Sequence, residues 1–283
     1  MTWNLFHGRD WPPESPLQVH AHKGNLSRGP RRGERYEQVN WELFDEFASM
    51  IAGVDWDVAL FQECPPRWSS RRRLLWPANM LGEACGAEAH RALSARNWLQ
   101  PLSSLIGRWR PDLIGAWEGG SNTTLVRPDA GSIAERRRVV LTWRPEIRVM
   151  ALTRVASGLC LANVHVSTKP RSAERELLAA AGKAIEFAGD GPLLFGGDFN
   201  VRPNASGVFA QLEDRFGLAA ATAPDRLSHL LVRGLEAVEP PAAWPPEARD
   251  VTDPATGLAI RLSDHNPVIG KFAVPRPGTF ARE

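Results

Sequence analysis

Pro192-Leu193-Leu194-Phe195-Gly196-Gly197-Asp198-Phe199-Asn200 is the stretch on which the fold turns. Pro192 to Phe195 form a short apolar run of the kind that makes a buried strand, ending at Gly196-Gly197-Asp198. Two residues without side chains just ahead of Asp198 predict close approach by another chain segment or a ligand. Asp198 and Asn200 then stand as polar groups emerging from an apolar sheet.

The same design recurs along the chain. Thr2-Trp3-Asn4-Leu5-Phe6 reads as a short aromatic strand, and Asp57-Val58-Ala59-Leu60-Phe61-Gln62-Glu63 as a buried strand with polar groups at its end. Asn163-Val164-His165 closes a strand-like segment at 158–166, and Ser263-Asp264-His265-Asn266 precedes a terminal strand at 267–274. Asn163 and His165 are two apart and so project to one face of their strand. Polar groups on one rim of a sheet sandwich can converge despite their distance along the chain.

Between these segments, Val39, Leu43, Phe47 and Met50 recur at helical spacing from Tyr36 to Ile51. Segments near 122–127, 138–143, 147–155 and 158–166 read as a meander of antiparallel strands. Ser172, followed by Glu174, Glu176, Leu177, Leu178, Ala181 and Ile185, predicts an N-cap, an acidic first turn and an apolar helix face running to Gly189. A short helix near 206–216 and a strand at 229–233 follow. Residues 9–34 lack periodicity and read as a long loop. Without a repeat, a low-complexity tract or a break in composition, the expectation is one α/β domain over residues 1–283. Two sheets packed face to face with helices outside bury every apolar surface.

Composition narrows the function. The chain has 283 residues, 43% apolar and 23% charged, with 24 Gly and 23 Pro, a loop-rich globule and not a disordered chain. A net charge of +2 leaves no bulk electrostatic pull on nucleic acid, so any basic surface is local. No apolar run reaches the roughly 18 residues of a membrane span, and Met1 to Asp10 lack the pattern of a secretory signal. Cys64, Cys85 and Cys160 are too few and too scattered for a disulfide framework, which favours a reducing cytoplasm. The strong excess of Arg over Lys23, Lys169, Lys183 and Lys271 is attributed mainly to genomic base composition.

The polar clusters hold three carboxylates (Glu63, Asp198, Asp264), two histidines (His165, His265) and the amides of Asn4, Asn163 and Asn200. Oxygen-rich sets suit Mg²⁺ or Mn²⁺, whereas zinc leans on closely spaced Cys and His. Magnesium takes one or two carboxylates and leaves positions for water and phosphate oxygens, so phosphoester hydrolysis is the chemistry expected. His7, His20, His22 and His90 match no motif. Arg71-Arg72-Arg73 and Arg136-Arg137-Arg138 read as solvated faces, with phosphate contact as the sharper alternative. Trp11, Trp68, Trp76, Trp98 and Trp117 read as packing residues before base-stacking platforms.

Thr2-Trp3-Asn4, Gln62-Glu63, Asn163-Val164-His165, Gly197-Asp198-Phe199-Asn200 and Ser263-Asp264-His265, in this order, resemble the motifs of the endonuclease/exonuclease/phosphatase family, related to deoxyribonuclease I. Gly120-Ser121-Asn122-Thr123-Thr124-Leu125-Val126-Arg127 resembles the family's central strand less specifically. The resemblance implies a four-layer α/β/β/α sandwich of two mainly antiparallel sheets with outer helices. It implies Glu63 as the principal ligand of Mg²⁺ or Mn²⁺, supported by Asn4 and Asp264. Asp198 would activate the attacking water, Asn200 would hold substrate or carboxylate in register, and His165 and His265 would flank the scissile phosphate. Asn122 and Asn163 would meet substrate.

One position departs from the pattern. Arg226-Leu227-Ser228-His229-Leu230-Leu231-Val232 places Ser228 where the family carries an acidic residue that orients the last histidine. Asp225, Asp250 and Asp253 are the candidates to replace it. The expected activity is a divalent-metal phosphodiesterase acting on nucleic acid, with a small-molecule phosphatase or phosphodiesterase and a catalytically silent scaffold as rivals. Neither a membrane nor an obligate protein partner is expected.

Overall fold

The computed structural model describes residues 1–8, 10–11, 43–64, 78–94, 120–144, 146–219, 222–252, 257 and 259–273. From edge to edge, the first sheet runs Glu236–Ala243 (β11), Val268–Ala273 (β14), Thr2–Asn4 (β1), Val58–Cys64 (β3), Ser121–Val126 (β5) and Glu88–Leu93 (β4). The second runs Ser228–Arg233 (β10), Leu193–Asp198 (β9), Cys160–His165 (β8), Arg148–Val155 (β7) and Ile133–Thr142 (β6). A small third sheet joins Asp250–Thr252 (β12), Ala259–Leu262 (β13) and Asp10–Trp11 (β2). Pairing is antiparallel except for β1 with β3 and β8 with β9.

Period-2 alternation builds the layers. Leu60, Leu161, Leu194 and Leu230 turn inward and pack with Val58, Val126 and Val155 between the sheets. Their neighbours point outward. Phe61 joins Trp3, Phe47 and Ile51 on the outer face of the first sheet, where Phe44–Ala52 (α1) and Ala78–Ala84 (α2) lie. Ala162, Phe195 and Leu231 join Leu177, Phe199 and Leu212 on the outer face of the second, under Pro170–Ala188 (α3) and Val208–Phe216 (α4). The result is the expected α/β/β/α sandwich. Truncating a fully buried aromatic such as Phe195 in such a layer costs about 3–5 kcal/mol.

The glycine pair does what a bare backbone allows. Strand β9 continues through Gly196 and Gly197 to Asp198, past the Phe195 end expected from sequence. Gly197 sits at φ +144°, and a Cβ there would lie 1.9 Å from the carbonyl oxygen of Val164 on β8. Only glycine fits this register, which pairs His165 with Asp198.

Several expectations are corrected. Helix α3 begins at Pro170 with Lys169 as its N-cap, not at Ser172. Pro170 starts the helix because its ring presets φ and it has no N–H to leave unpaired. Glu176 consequently lies beyond the first turn, buried, accepting from Ser167 N and Ser167 Oγ at 2.7 Å each. The middle segments do not form one meander: β5 belongs to the first sheet, and only β6, β7 and β8 run as a meander in the second. The first strand ends at Asn4, followed by a 3₁₀ turn at Phe6–Gly8. Of the helix read over 36–51, the described part is α1; the loop at 9–34, apart from Asp10–Trp11, lies outside the described residues, as do Arg71-Arg72-Arg73, Trp68, Trp76, Trp98 and Trp117.

Candidate active site

Two parallel pairs create one rim. Because β1 runs with β3 and β8 runs with β9, the C-terminal residues Asn4, Gln62-Glu63, His165 and Asp198 leave the sandwich at the same end. His265 arrives in the turn between β13 and β14, where Ser263 adopts φ +60°. Ser263 Oγ accepts from His265 N at 3.1 Å and donates to the Asn4 carbonyl at 2.6 Å. Trp3 Nε1 donates to the His265 carbonyl at 2.8 Å. The first and last motifs are thus tied backbone to side chain.

Asp198 is the hub and is almost fully buried. Its Oδ2 accepts from Asn4 Nδ2 at 2.9 Å, and its Oδ1 accepts from Asn200 N at 3.0 Å. His165 Nε2 and His265 Nε2 each lie 3.7 Å from that same Oδ2. His165 Nε2 also lies 3.7 Å from Glu63 Oε1, and His265 Nε2 lies 3.8 Å from Asp264 Oδ1. Two imidazoles therefore share one carboxylate oxygen while each faces a second acid. At these distances the contacts are electrostatic and not direct hydrogen bonds.

Glu63 is presented by a distortion. It sits at φ +51° beside an irregularity in the β3–β5 register, and a Cβ on Gly120 would come within 2.7 Å of the Glu63 Cα. The glycine opening the β5 motif is what lets the strand carrying Glu63 bulge toward the mouth. Asn200 is likewise at positive φ, +50°, and its Nδ2 donates to the Val166 carbonyl at 3.0 Å.

The amides divide into two depths. Asn163 is fully buried: its Nδ2 donates to the carbonyls of Phe61 and Thr123 at 3.1 Å, and its Oδ1 accepts from Gln62 Nε2 at 2.8 Å. Asn122 Nδ2 donates to the Val149 carbonyl at 2.8 Å. The hydrogen-bonding groups of Asn122 and Asn163 thus serve the seam between the sheets, beneath the rim where the acids and histidines gather. Asn4 Oδ1 accepts from Phe6 N at 2.9 Å.

Arg148 is the residue that sequence reading missed. Its Nη1 is 3.3 Å from both ring nitrogens of His165, and its Nη2 pairs with Glu146. An arginine at the start of a strand carries no sequence signal that distinguishes it from a solvated one. Burial first, and then the Arg148 guanidinium, hold His165 below the ordinary imidazole value, against the pull of Asp198 and Glu63. The neutral ring accepts one hydrogen bond and donates another.

The acids on the other side behave as a set short of positive charge. Burial first pushes the Asp264 carboxyl up against the pull of His265, with Glu63 and Asp198 adding repulsion. Asp264 Oδ1 is buried without a hydrogen-bond partner among the described residues. Among those residues no three of His, Cys, Asp and Glu close into a ready-made cage. Magnesium needs only one or two carboxylates beside water and phosphate oxygens, so Glu63 and Asp264 fit a divalent cation by donor type and by unmet charge.

Among the described residues, the acidic partner missing at Ser228 is not restored from the flank. Asp250 is bound to Arg261, Asp225 pairs with Arg226, and Asp253 lies outside the described residues. The carboxylates facing His265 are Asp198 and Asp264. His90 is a core residue bonded to Thr153 Oγ1 at 2.7 Å.

This rim gathers carboxylates, imidazoles and amides of the kinds that phosphoester chemistry uses. The family model described as "Endonuclease/Exonuclease/phosphatase family" matches residues 1–265, and the chain belongs to that family. Family membership carries phosphoester hydrolysis and, in general, a divalent metal. Among solved structures, an endonuclease/exonuclease/phosphatase family protein from Bacteroides thetaiotaomicron aligns at a TM-score of 0.62 with 14% identity, covering 100% of this chain and 96% of that one. A mannosyl-6-phosphatase from the same organism aligns at 0.60 with 14% identity over 96% and 98% of the two chains. A Beutenbergia cavernae family protein aligns at 0.59 with 15% identity over 96% and 70%. At these identities the likeness shows the fold. No curated protein sequence matches the chain significantly. No described helix is long and apolar enough to cross a membrane.

Proposed function

We propose that the chain is a Mg²⁺- or Mn²⁺-dependent phosphodiesterase acting on nucleic acid. The observation that carries phosphoester chemistry is the shared approach of His165 Nε2 and His265 Nε2 to one Asp198 oxygen at 3.7 Å. Asp198 attracts the proton of the attacking water, and the imidazoles donate hydrogen bonds to the phosphoryl oxygens. Asn4 and Asn200 N keep the Asp198 carboxylate aimed. Glu63 and Asp264 would hold the cation, with Asn4 beside them. When bound, the cation neutralises charge growing on the phosphoryl and leaving oxygens.

Nucleic acid is favoured by the hairpin joining β6 to β7. Trp143 is 64% exposed there, next to Arg144, and the same hairpin delivers Arg148 to His165. An exposed indole beside a cationic group offers a stacking face for a base.

A small phosphoester is the second reading, favoured by the state of the central basic run. Arg136 is paired with Glu88, Arg137 with Glu135, and Arg138 Nε donates to the Leu93 carbonyl. These arginines are not a free track for a phosphate backbone. Rates on oligonucleotides of rising length, with Mg²⁺ or Mn²⁺ added, separate the readings. A rate that climbs with length supports nucleic acid, and one that is highest on simple phosphoesters supports the second reading.

A further inference from the structure

Ser228 holds a position that its own chemistry does not use. It pairs directly with Asp198 in the β9–β10 ladder. Its neighbour His229 packs outward against Phe199 and Phe209, whereas Leu230 packs between the sheets. Strand alternation therefore turns Ser228, like Leu230, to the inner side at the rim. Ser228 is 4% exposed, and its Oγ has no hydrogen-bond partner among the described residues. A buried orphan hydroxyl is destabilising, and a bound ligand can recover that loss.

Ser228 lines a cavity of about 330 Å³ that it shares with Arg202, Arg226, His265 and Asn266. That volume is at the small end of the roughly 300–1,000 Å³ of ligand sites. Two guanidinium groups, a hydroxyl-bearing residue and an amide line one space together with Asp225 and Asp264. Arg202 Nε donates to the Asp225 carbonyl at 3.0 Å, which aims the side chain without neutralising it. The Asp225 carboxylate lies 3.4 Å from Arg226 Nε but is 62% exposed, so water screens much of its charge. Asp264, the other acid of the lining, belongs to the cluster with Glu63 and Asp198.

We propose that this cavity is a subsite for a second phosphate of the substrate, carried next to the ester that is cut and held by Arg226, Arg202 and the Ser228 hydroxyl. It rests on the phosphoesterase reading for the scissile ester, and it adds a specificity element that the rim alone does not supply. Guanidinium forks match phosphate oxygens two at a time, and the hydroxyl donates the third bond. The second phosphate can belong to a neighbouring nucleotide or to a small bisphosphorylated molecule; the chemistry of recognition is the same.

The test has a binding arm and a turnover arm. Calorimetric titration of inorganic phosphate into metal-free protein is compared between the parent, Arg226→Gln and Ser228→Ala. Without a cation Glu63 and Asp198 repel the ion from the rim, whereas in the cavity two guanidinium groups offset Asp225 and Asp264, so the loss in Arg226→Gln reports on the cavity. Affinity should fall about tenfold or more in Arg226→Gln and several-fold in Ser228→Ala. In the turnover arm, kcat/KM with added cation is measured on a dinucleoside monophosphate with and without a terminal phosphate, and on a sugar bisphosphate against its monophosphate. The pair whose ratio falls in Arg226→Gln names the source of the second phosphate. Phosphate binding indifferent to both substitutions, or no binding to the parent, overturns the subsite. Binding that responds to the substitutions while every phosphoester resists turnover supports the subsite and overturns the hydrolytic reading.

Discussion

Asn4 Nδ2 donates to Asp198 Oδ2 at 2.9 Å across the gap between the two sheets, joining residues 194 apart in the chain. The bond does two things. It satisfies a buried carboxylate oxygen, and it leaves that oxygen aimed at the two imidazoles instead of folding back on β9. Removing the amide should therefore cost both stability and rate. Asn4→Ala should lower unfolding free energy by about 1–3 kcal/mol, the cost of an orphaned buried acceptor. Turnover should fall at least tenfold. Urea denaturation and steady-state kinetics on one preparation check both.

Gly197 should tolerate nothing larger. Its φ of +144° and the 1.9 Å approach to the Val164 carbonyl leave no room for a methyl group. Gly197→Ala is expected to destabilise by about 3 kcal/mol or more, since backbone must move to admit it. Gly86→Ala is the comparison: φ is +62° but no atom lies within 4 Å of the added carbon, so the cost should stay at about 1–2 kcal/mol. Equal costs at the two positions would contradict the packing argument.

Stability should fall on mild acidification. Burial holds the His90 and His229 imidazoles down to about 4, with Arg136 adding to the effect at His90. In the unfolded chain imidazole titrates near 6.5. Between these values the unfolded state binds more protons, so the stability from the neutral rings is complete above about pH 6.5 and is lost as pH falls toward 4. The loss should be about 1–3 kcal/mol per ring. His229→Phe keeps an aromatic among Phe199 and Phe209 and should flatten the slope of urea midpoint against pH. An unchanged slope would count against it.

The cation can be tested apart from catalysis. Adding Mg²⁺ or Mn²⁺ should raise Tm by relieving repulsion among Glu63, Asp198 and Asp264, and a chelator should reverse the shift and abolish turnover. Glu63→Gln should blunt the Tm response. Full activity in excess chelator would remove the metal from the account.

How legible all this was depends on the kind of signal each residue leaves. Alternation alone puts Asn163 and His165, two apart, on one face, and both point between the sheets. Gly196-Gly197 announced a close approach, and Val164 supplies it. Strand β11 left little trace because Pro240 and Pro241 suppress the usual pattern; an edge strand tolerates them, needing fewer ladder N–H groups. Strand β4 has mixed burial and no clean period. Ser172 looked like a helix cap because serine is the commoner one, but the proline two residues earlier had already set the backbone. Arg148 could not be found without the tertiary pairing that sets β7 beside β8.

The most direct test of the central claim is kcat for Asp198→Asn on a phosphoester that the parent hydrolyses with added Mg²⁺ or Mn²⁺. The substitution keeps the size and most hydrogen bonding of Asp198 but removes the charge that draws the proton from water. Turnover should fall about 10²–10⁴-fold, the range of a positioned acid/base group, while KM changes little. Activity within about threefold of the parent, far inside that range, would contradict the assignment of Asp198 as the hub of the reaction.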